Sequence, residues 1–109
     1  MRKIEVEMIK AIQAFKSKGL GNTKVVCNIR ADGVEVVSVY LYDSLIAQRG
    51  ATGWGFNICG WNTPTTRSRI NAILTSFSMG RVSSKDGQPY FTSGAHKRPI
   101  ELNGWQFCA

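Results

Sequence analysis

Apolar residues recur every three or four positions near the N-terminus, which is the repeat of a helix that buries one face. The stripe consists of Ile4, Met8, Ile12 and Phe15. It predicts an amphipathic helix over about residues 3–17. The segment "SKGLGN" is expected to end this helix, with Gly19 as the glycine at its C-terminal cap.

A second stripe with the same repeat follows in the middle of the chain. Its members are Ile70, Ile73, Leu74 and Phe77. Thr63 before Pro64 fits an N-cap followed by proline in the first turn, and Thr65 or Thr66 is the alternative cap. The pattern predicts a helix over about residues 64–78 whose apolar face packs on a sheet.

Between the helices the pattern changes to the alternation typical of strands. The segments "VVCNIR", "VEVVSVYLY" and "LIAQR" are rich in β-branched and aromatic residues, and they predict a three-stranded antiparallel meander. The glycine-rich "GATGWG" predicts a bend, and "FNICGW" predicts a fourth strand after it. A phosphate-binding loop is excluded there, because the bend lacks Gly-Lys-Ser/Thr and no helix follows it directly.

The C-terminal part predicts short hairpins. "KDGQ" is a turn between the strands "RVSS" and "PYFT", "SGAHKRP" is an exposed basic loop, and "WQFC" is a last strand after the turn Asn103-Gly104. The expected fold is therefore α+β, an antiparallel sheet of about five to six short strands with both helices packed on it. A chain of 109 residues is expected to form a single domain, 1–109.

Charge is unevenly distributed along this chain, whose net charge is +7. No acidic residue lies between Asp43 and Asp86, whereas several basic residues do. A field of this sign attracts nucleic acid or an acidic protein surface. The alternative is a basic surface that only keeps the protein in solution.

Arg67 and Arg69 stand near the start of the second helix, where a cation costs a few tenths of a kcal/mol. Helical spacing places Arg67 near the edge of the apolar face and directs Arg69 outward. Three interpretations compete. The arginine stems cover the sheet edge against Trp61 or Tyr42, the guanidinium groups bridge to strand-end carbonyls or Asp43, or they join the free helical N–H groups to bind an anion such as phosphate.

Aromatic residues add weight to nucleic acid as the ligand. Trp54 lies in the glycine-rich bend beside Arg49, and Tyr90 and Phe91 flank the hairpin of Lys85. Exposed rings among basic residues form a stacking platform for single strands. The other large rings, Trp61, Trp105 and Phe107, are assigned to the core. The candidate nucleic-acid or partner-binding residues are Arg49, Trp54, Arg67, Arg69, Arg81 and Lys85.

Chemistry-bearing residues are sparse. The three cysteines are widely spaced, no CxxC occurs, and His96 is the only histidine. These features argue against a zinc site and against a nucleophile paired with a base. The expectation is a protein that is not an enzyme, with no catalytic residues, no metal and no cofactor. The chain shows no signal peptide and no apolar stretch of membrane length, so no membrane partner is expected.

Four segments occur in an order that resembles a known family. They are "VYLYDSLIA", "GWNTPTTRSRINAIL", "RVSSKDGQPYF" and "NGWQF". They resemble small tailed-bacteriophage proteins of uncharacterised function that carry a "GW-T-TTR-RIN--L" block. The resemblance covers residues 23–107, leaves the N-terminal helix of residues 1–20 outside as an addition, and departs at Tyr42-Asp43, where relatives more often carry His-Gly. It implies a phage accessory protein acting in the host bacterial cytoplasm.

Two functional hypotheses follow from these observations. The leading one is a non-enzymatic accessory protein that binds nucleic acid, single-stranded or without sequence specificity, through a basic face. The alternative is an inhibitor or modulator that docks on an acidic surface or a strand edge of a host protein. An exposed strand edge also leaves room for a homodimer.

Overall fold

The computed structural model describes residues 1–108, which form two helices and nine strands. The helices are α1 (Lys3–Ala14) and α2 (Pro64–Ser76). The strands are β1 (Lys18–Leu20), β2 (Thr23–Ile29), β3 (Glu35–Leu41), β4 (Ser44–Gly50), β5 (Gly53–Phe56), β6 (Arg81–Lys85), β7 (Gln88–Ser93), β8 (His96–Pro99) and β9 (Gln106–Cys108). The predicted α+β class and both helices are confirmed, but the strands divide between two sheets.

The first sheet has six strands in the order β1-β2-β3-β4-β5-β9, and every neighbouring pair is antiparallel. Its centre is the predicted meander. Tyr42 and Asp43 form the tight turn between β3 and β4, with φ of 47° and 65°. Positive φ at both central residues is the geometry that matches the twist of a two-residue hairpin.

The predicted fourth strand is displaced. Pairing with β4 starts at Gly53 and ends at Phe56, so most of "FNICGW" is not strand. The side-chain oxygen of Asn57 accepts a hydrogen bond of 2.8 Å from the Cys59 N–H. Cys59 and Gly60 then take positive φ, which turns the chain out of the sheet and toward α2.

The predicted end of α1 at Gly19 is also wrong. The helix ends at Ala14, and Phe15 caps it in the left-handed conformation (φ 52°, ψ 50°). The chain therefore reverses direction four residues before Gly19. The Lys16 N–H closes this end by donating to the Ala11 carbonyl at 3.0 Å. Gly19 lies in β1 instead, where it pairs with Lys24 of β2. The segment expected to be a cap therefore extends the first sheet.

One face of the first sheet packs against both helices and the second sheet, and the core lies between them. Val25, Val37 and Val39 of the sheet are buried there with Met8 of α1 and Ile73 of α2. The opposite face of the sheet points away from the helices. It carries exposed side chains on β2 and β9.

The second sheet has three antiparallel strands in the order β6-β7-β8. Asn71 of α2 holds β6 in place with two hydrogen bonds to the backbone of Val82, of 2.8 and 2.7 Å. Phe91 of β7 packs edge-on against Phe56 of the first sheet, with ring centroids 5.3 Å apart. The expectation of a loop at "SGAHKRP" is wrong, because Gly94 turns the chain and His96–Pro99 pairs with β7 as β8.

Candidate functional site

Arg69 is buried, with 3% of its surface exposed, so the expectation that it points outward is wrong. Its Nη1 lies 2.7 Å from Oε2 of Glu5 in α1, and its Nε donates to the Thr23 hydroxyl at 2.9 Å. The first turn of α2 has no acidic residue of its own. Glu5 supplies the missing negative charge from another helix, and Arg69 is therefore withdrawn from any ligand.

The Glu5 carboxylate is held by several donors at once. Burial raises its pKa, but the hydrogen bonds from Ser68 and Arg69, the Arg2 N–H and the charge of Arg69 outweigh that effect. The net result is a pKa below the ordinary value for glutamate. The carboxylate consequently stays ionised at neutral pH and remains paired with Arg69.

Trp54 is buried as well, and the expectation that it stacks on a ligand is wrong. The indole is 6% exposed and packs against Phe77, with ring centroids 5.6 Å apart. Trp54 pairs with Arg49, whose guanidinium carbon lies 5.9 Å from the indole centroid. Because Phe77 caps the C-terminal end of α2, Arg49 lies toward the opposite end of that helix from Arg67.

The burial of the other large rings is also the opposite of what was expected. Trp61, Trp105 and Phe107 were assigned to the core, yet they are 63%, 37% and 71% exposed. Phe91, expected at the surface, is buried. Strand register explains Phe107, because it pairs with Gly55 on the side of the first sheet that faces away from the helices. Trp61 follows the turn at Gly60 and leaves the sheet altogether.

Arg67 and Arg81 come together along the outer side of α2. Both line an open groove of about 360 Å³ that also contains Asn71 and Thr75. Arg67 Nη1 donates to the side-chain oxygen of Asn62 at 2.6 Å. This partner is a neutral amide, so the guanidinium is positioned but its charge is not neutralised.

The register of the second sheet places further cations beside Arg81. Arg81 is directly opposite Thr92, which is directly opposite Lys97, and Lys85 lies on the same face of β6 four residues later. Tyr90 is on this face too, with Lys97 Nζ 4.9 Å from its ring centroid. The face is turned away from the core, because Val82 and Phe91 point inward between these residues.

We call Arg67, Arg81, Lys85 and Lys97, together with Tyr90, the basic surface. In residues 1–108, no carboxylate oxygen comes within 4.0 Å of a charged nitrogen of these four cations. Of the predicted binding residues, the structure thus brings together Arg67, Arg81 and Lys85. The prediction omitted Lys97, because a loop at "SGAHKRP" gives no face on which to place it.

The cysteines show no sign of activation. Cys27, Cys59 and Cys108 are free and half-buried, and burial raises the pKa of each thiol. Within residues 1–108, no group of three His, Cys, Asp or Glu side chains is placed to hold a metal ion. No helix in that range has the length and apolar character needed to cross a membrane.

Comparison with known proteins gives one family. The family described as "Kyanoviridae Gp96 protein" matches residues 1–107. The match confirms the resemblance to small tailed-phage proteins and begins at residue 1, so it includes α1, which the resemblance left outside. No curated protein and no solved structure matches the chain.

Proposed function

The chain belongs to the Kyanoviridae Gp96 family of small tailed-phage proteins, and we propose that it is a non-enzymatic accessory protein that binds nucleic acid in the host cytoplasm through the basic surface. One observation carries the proposal. Four cations without a carboxylate partner among residues 1–108 share one side of the molecule, at the groove of α2 and on the outer face of the second sheet.

The chemistry of these side chains fits a phosphate backbone. Arginine binds phosphate oxygens through a planar fork, and lysine adds a mobile point charge. Each phosphate that is neutralised releases condensed counterions, which supplies the affinity of binding without sequence preference. The cations of the second sheet lie on short strands, and this arrangement offers no helix for reading base edges in a major groove.

The N-terminal end of α2 is less able to bind an anion than its sequence suggested. Thr63 accepts a hydrogen bond from the Thr66 N–H through its side chain, and its carbonyl accepts from the Arg67 N–H. With Arg69 also engaged by Glu5, an anion at this helix end would find few free donors. The proposed contacts are therefore those of the side chains on the basic surface.

The proposal is tested by fluorescence anisotropy with a labelled 20-nucleotide DNA at about 50 mM salt, where phosphate contacts are strong. The variant Arg81→Gln/Lys85→Gln/Lys97→Gln is expected to bind about tenfold or more weakly than the natural protein. The matched control Lys10→Gln/Lys16→Gln/Lys18→Gln removes the same charge from exposed positions on α1, β1 and the segment joining them. It is expected to bind within about twofold of the natural protein.

Two results would overturn the proposal. One is the absence of binding by the natural protein under these conditions. The other is an equal loss in both triple variants, which would mean that net charge attracts the DNA and that the basic surface has no special part in it.

A second candidate function, docking on a host protein, is favoured by a separate feature. Exposed Trp61 and Tyr42 flank a hollow of about 460 Å³ with Leu41 and Ile46 at its apolar base. Trp and Tyr over an apolar pocket are typical of residues that dominate protein interfaces. In a pull-down from nuclease-treated bacterial lysate, a host protein retained by the natural chain and lost with Trp61→Ala would support this function. Retention of no protein would count against it.

A further inference from the structure

Tyr90 lies in the middle of the outer face of the second sheet, between two rows of cations. The pairing register places Arg81 and Lys97 in the row on one side of Tyr90 and Lys85 in the row on the other. Rows that are two residues apart on a strand are separated by about 7 Å. The ring is therefore the aromatic centre of a positively charged face.

The Tyr90 ring is half-buried, and the Lys97 ammonium lies over its face, with Nζ 4.9 Å from the ring centroid. Lys97 itself is exposed, and among residues 1–108 no carboxylate oxygen lies within 4.0 Å of its ammonium. A cation over an aromatic ring at an exposed site is held more weakly than a base that stacks on such a ring. A base can therefore replace the ammonium over Tyr90, and the ammonium is then free to contact a phosphate.

The first sheet contains a tyrosine–lysine pair of the same kind, which shows what distinguishes Tyr90. Tyr40 is directly opposite Lys24, whose Nζ also lies 4.9 Å from the ring centroid. Lys24, however, has a carboxylate oxygen of Asp43 4.0 Å from its ammonium. The charges therefore favour a polyanion at Tyr90 more than at Tyr40.

On the basis of the proposed function, we propose that Tyr90 stacks on an unpaired base, so that the preferred ligand is single-stranded nucleic acid. In a single strand each base lies between two phosphates, and on this face the ring lies between two rows of cations. Bases in a duplex stack on one another and do not present their faces to a side chain. The base would contact Tyr90, and the phosphates on either side of it would contact the cations of the two rows.

The experiment compares three labelled 20-nucleotide ligands in the anisotropy assay, which are a single strand, a strand of the same length built from stable abasic sugars, and a duplex. The abasic strand keeps the phosphates and has no base to stack. The natural protein is expected to bind it about tenfold more weakly than the complete single strand, because one stacked base contributes about that factor. It is also expected to bind the complete single strand more tightly than the duplex.

Tyr90→Thr removes the ring and keeps a β-branched residue that suits a strand. This variant is expected to bind the complete and the abasic strands equally within about twofold, while its affinity for the duplex stays within about twofold of that of the natural protein. Tyr90→Phe keeps the stacking surface and should behave as the natural protein does. Tyr40→Thr is the matched control, because it removes a tyrosine with the same lysine contact from the other sheet, and it should also behave as the natural protein does.

A natural protein that binds the abasic strand or the duplex as tightly as the complete single strand would overturn the stacking inference and leave the proposed function standing. An equal loss of affinity for all three ligands, in a Tyr90→Thr variant whose circular dichroism spectrum matches that of the natural protein, would also overturn it. In that case the ring would only position the cations. Failure of the natural protein to bind any of the three ligands would overturn both the inference and the proposed function.

Discussion

Glu5 and Arg69 are 64 residues apart in the sequence and form the most deeply buried ion pair among the described residues. Taking both charges out of water is costly, and their mutual attraction repays it only when further hydrogen bonds satisfy the remaining donors and acceptors. Ser68 and Thr23 provide such bonds. The pair therefore fixes α1 against α2, and α1 is an integral part of the domain.

Glu5→Gln should destabilise the protein by about 3–5 kcal/mol, because it leaves the charge of Arg69 buried without a partner. The double variant Glu5→Gln/Arg69→Met should recover much of that loss, since neither buried charge remains. Urea unfolding at pH 7 measures both. Arg81→Met is the control, because Arg81 is exposed and should change the free energy of unfolding by less than about 0.5 kcal/mol. A loss in Glu5→Gln no larger than in this control would contradict the role of the pair.

Acid should weaken the fold through the same carboxylate. The pKa of Glu5 in the folded state lies below the ordinary 4.5, so the unfolded chain takes up the proton first as the pH falls. The stabilisation is complete above that ordinary value and is lost as the pH falls through the lowered pKa. Between pH 7 and pH 3 the natural protein should therefore lose more stability than Glu5→Gln/Arg69→Met. Thermal unfolding of both proteins across this pH range measures the difference. Parallel pH profiles would exclude this contribution.

At the scale of elements, the sequence predicts those that bury one face and misses those that do not. α1 and α2 each bury residues at helical spacing, and β3 buries Val37, Val39 and Leu41 at every second position, so the periodicity of these elements is visible. All residues of β8 are exposed and β1 is nearly so, which leaves no alternation to detect. Lys97 was therefore omitted from the binding residues, since its face depends on pairing between β7 and β8.

The misplaced side chains have the same origin in long-range structure. No residue near Arg69 in the sequence indicates that Glu5 is its partner. Similarly, the burial of Trp54 depends on Phe77 from α2, and the exposure of Phe107 depends on the position of β9 at the edge of the sheet. Local patterns carry no information about these contacts.

The turn between β3 and β4 yields a prediction about stability. Asp43 has a φ of 65°, in the left-handed region that glycine adopts without steric cost. Asp43→Gly should stabilise the protein by about 1 kcal/mol by relieving that strain. The midpoint of urea unfolding measures the change.

Asp32→Gly is the matched control for this turn. Asp32 does not have positive φ, and its carboxylate accepts a hydrogen bond of 3.1 Å from the Val34 N–H. This variant should be less stable than the natural protein. A destabilised Asp43→Gly variant would contradict the account of the β3–β4 turn.

At the scale of the whole molecule, the ion pairs lie away from the basic surface, which adds to the uneven distribution of charge seen in the sequence. The ion pairs within residues 1–108 involve Glu5, Glu7, Asp32 and Asp43, and none of them reaches the basic surface. Acidic side chains thus neutralise cations elsewhere on the molecule. Arg67, Arg81, Lys85 and Lys97 are therefore among the cations that contribute to the net charge of +7 without a carboxylate partner in the described residues.

The most direct test of this account is the salt dependence of binding to a single-stranded oligonucleotide, measured by anisotropy from about 50 to 200 mM salt. The logarithm of the association constant should fall linearly with the logarithm of the salt concentration. In Arg81→Gln/Lys85→Gln/Lys97→Gln the slope should be smaller in magnitude by about 0.7 for each lost phosphate contact, or about 2 in all. A natural protein whose affinity is independent of salt, or a triple variant whose slope is unchanged, would contradict the claim that the basic surface binds nucleic acid.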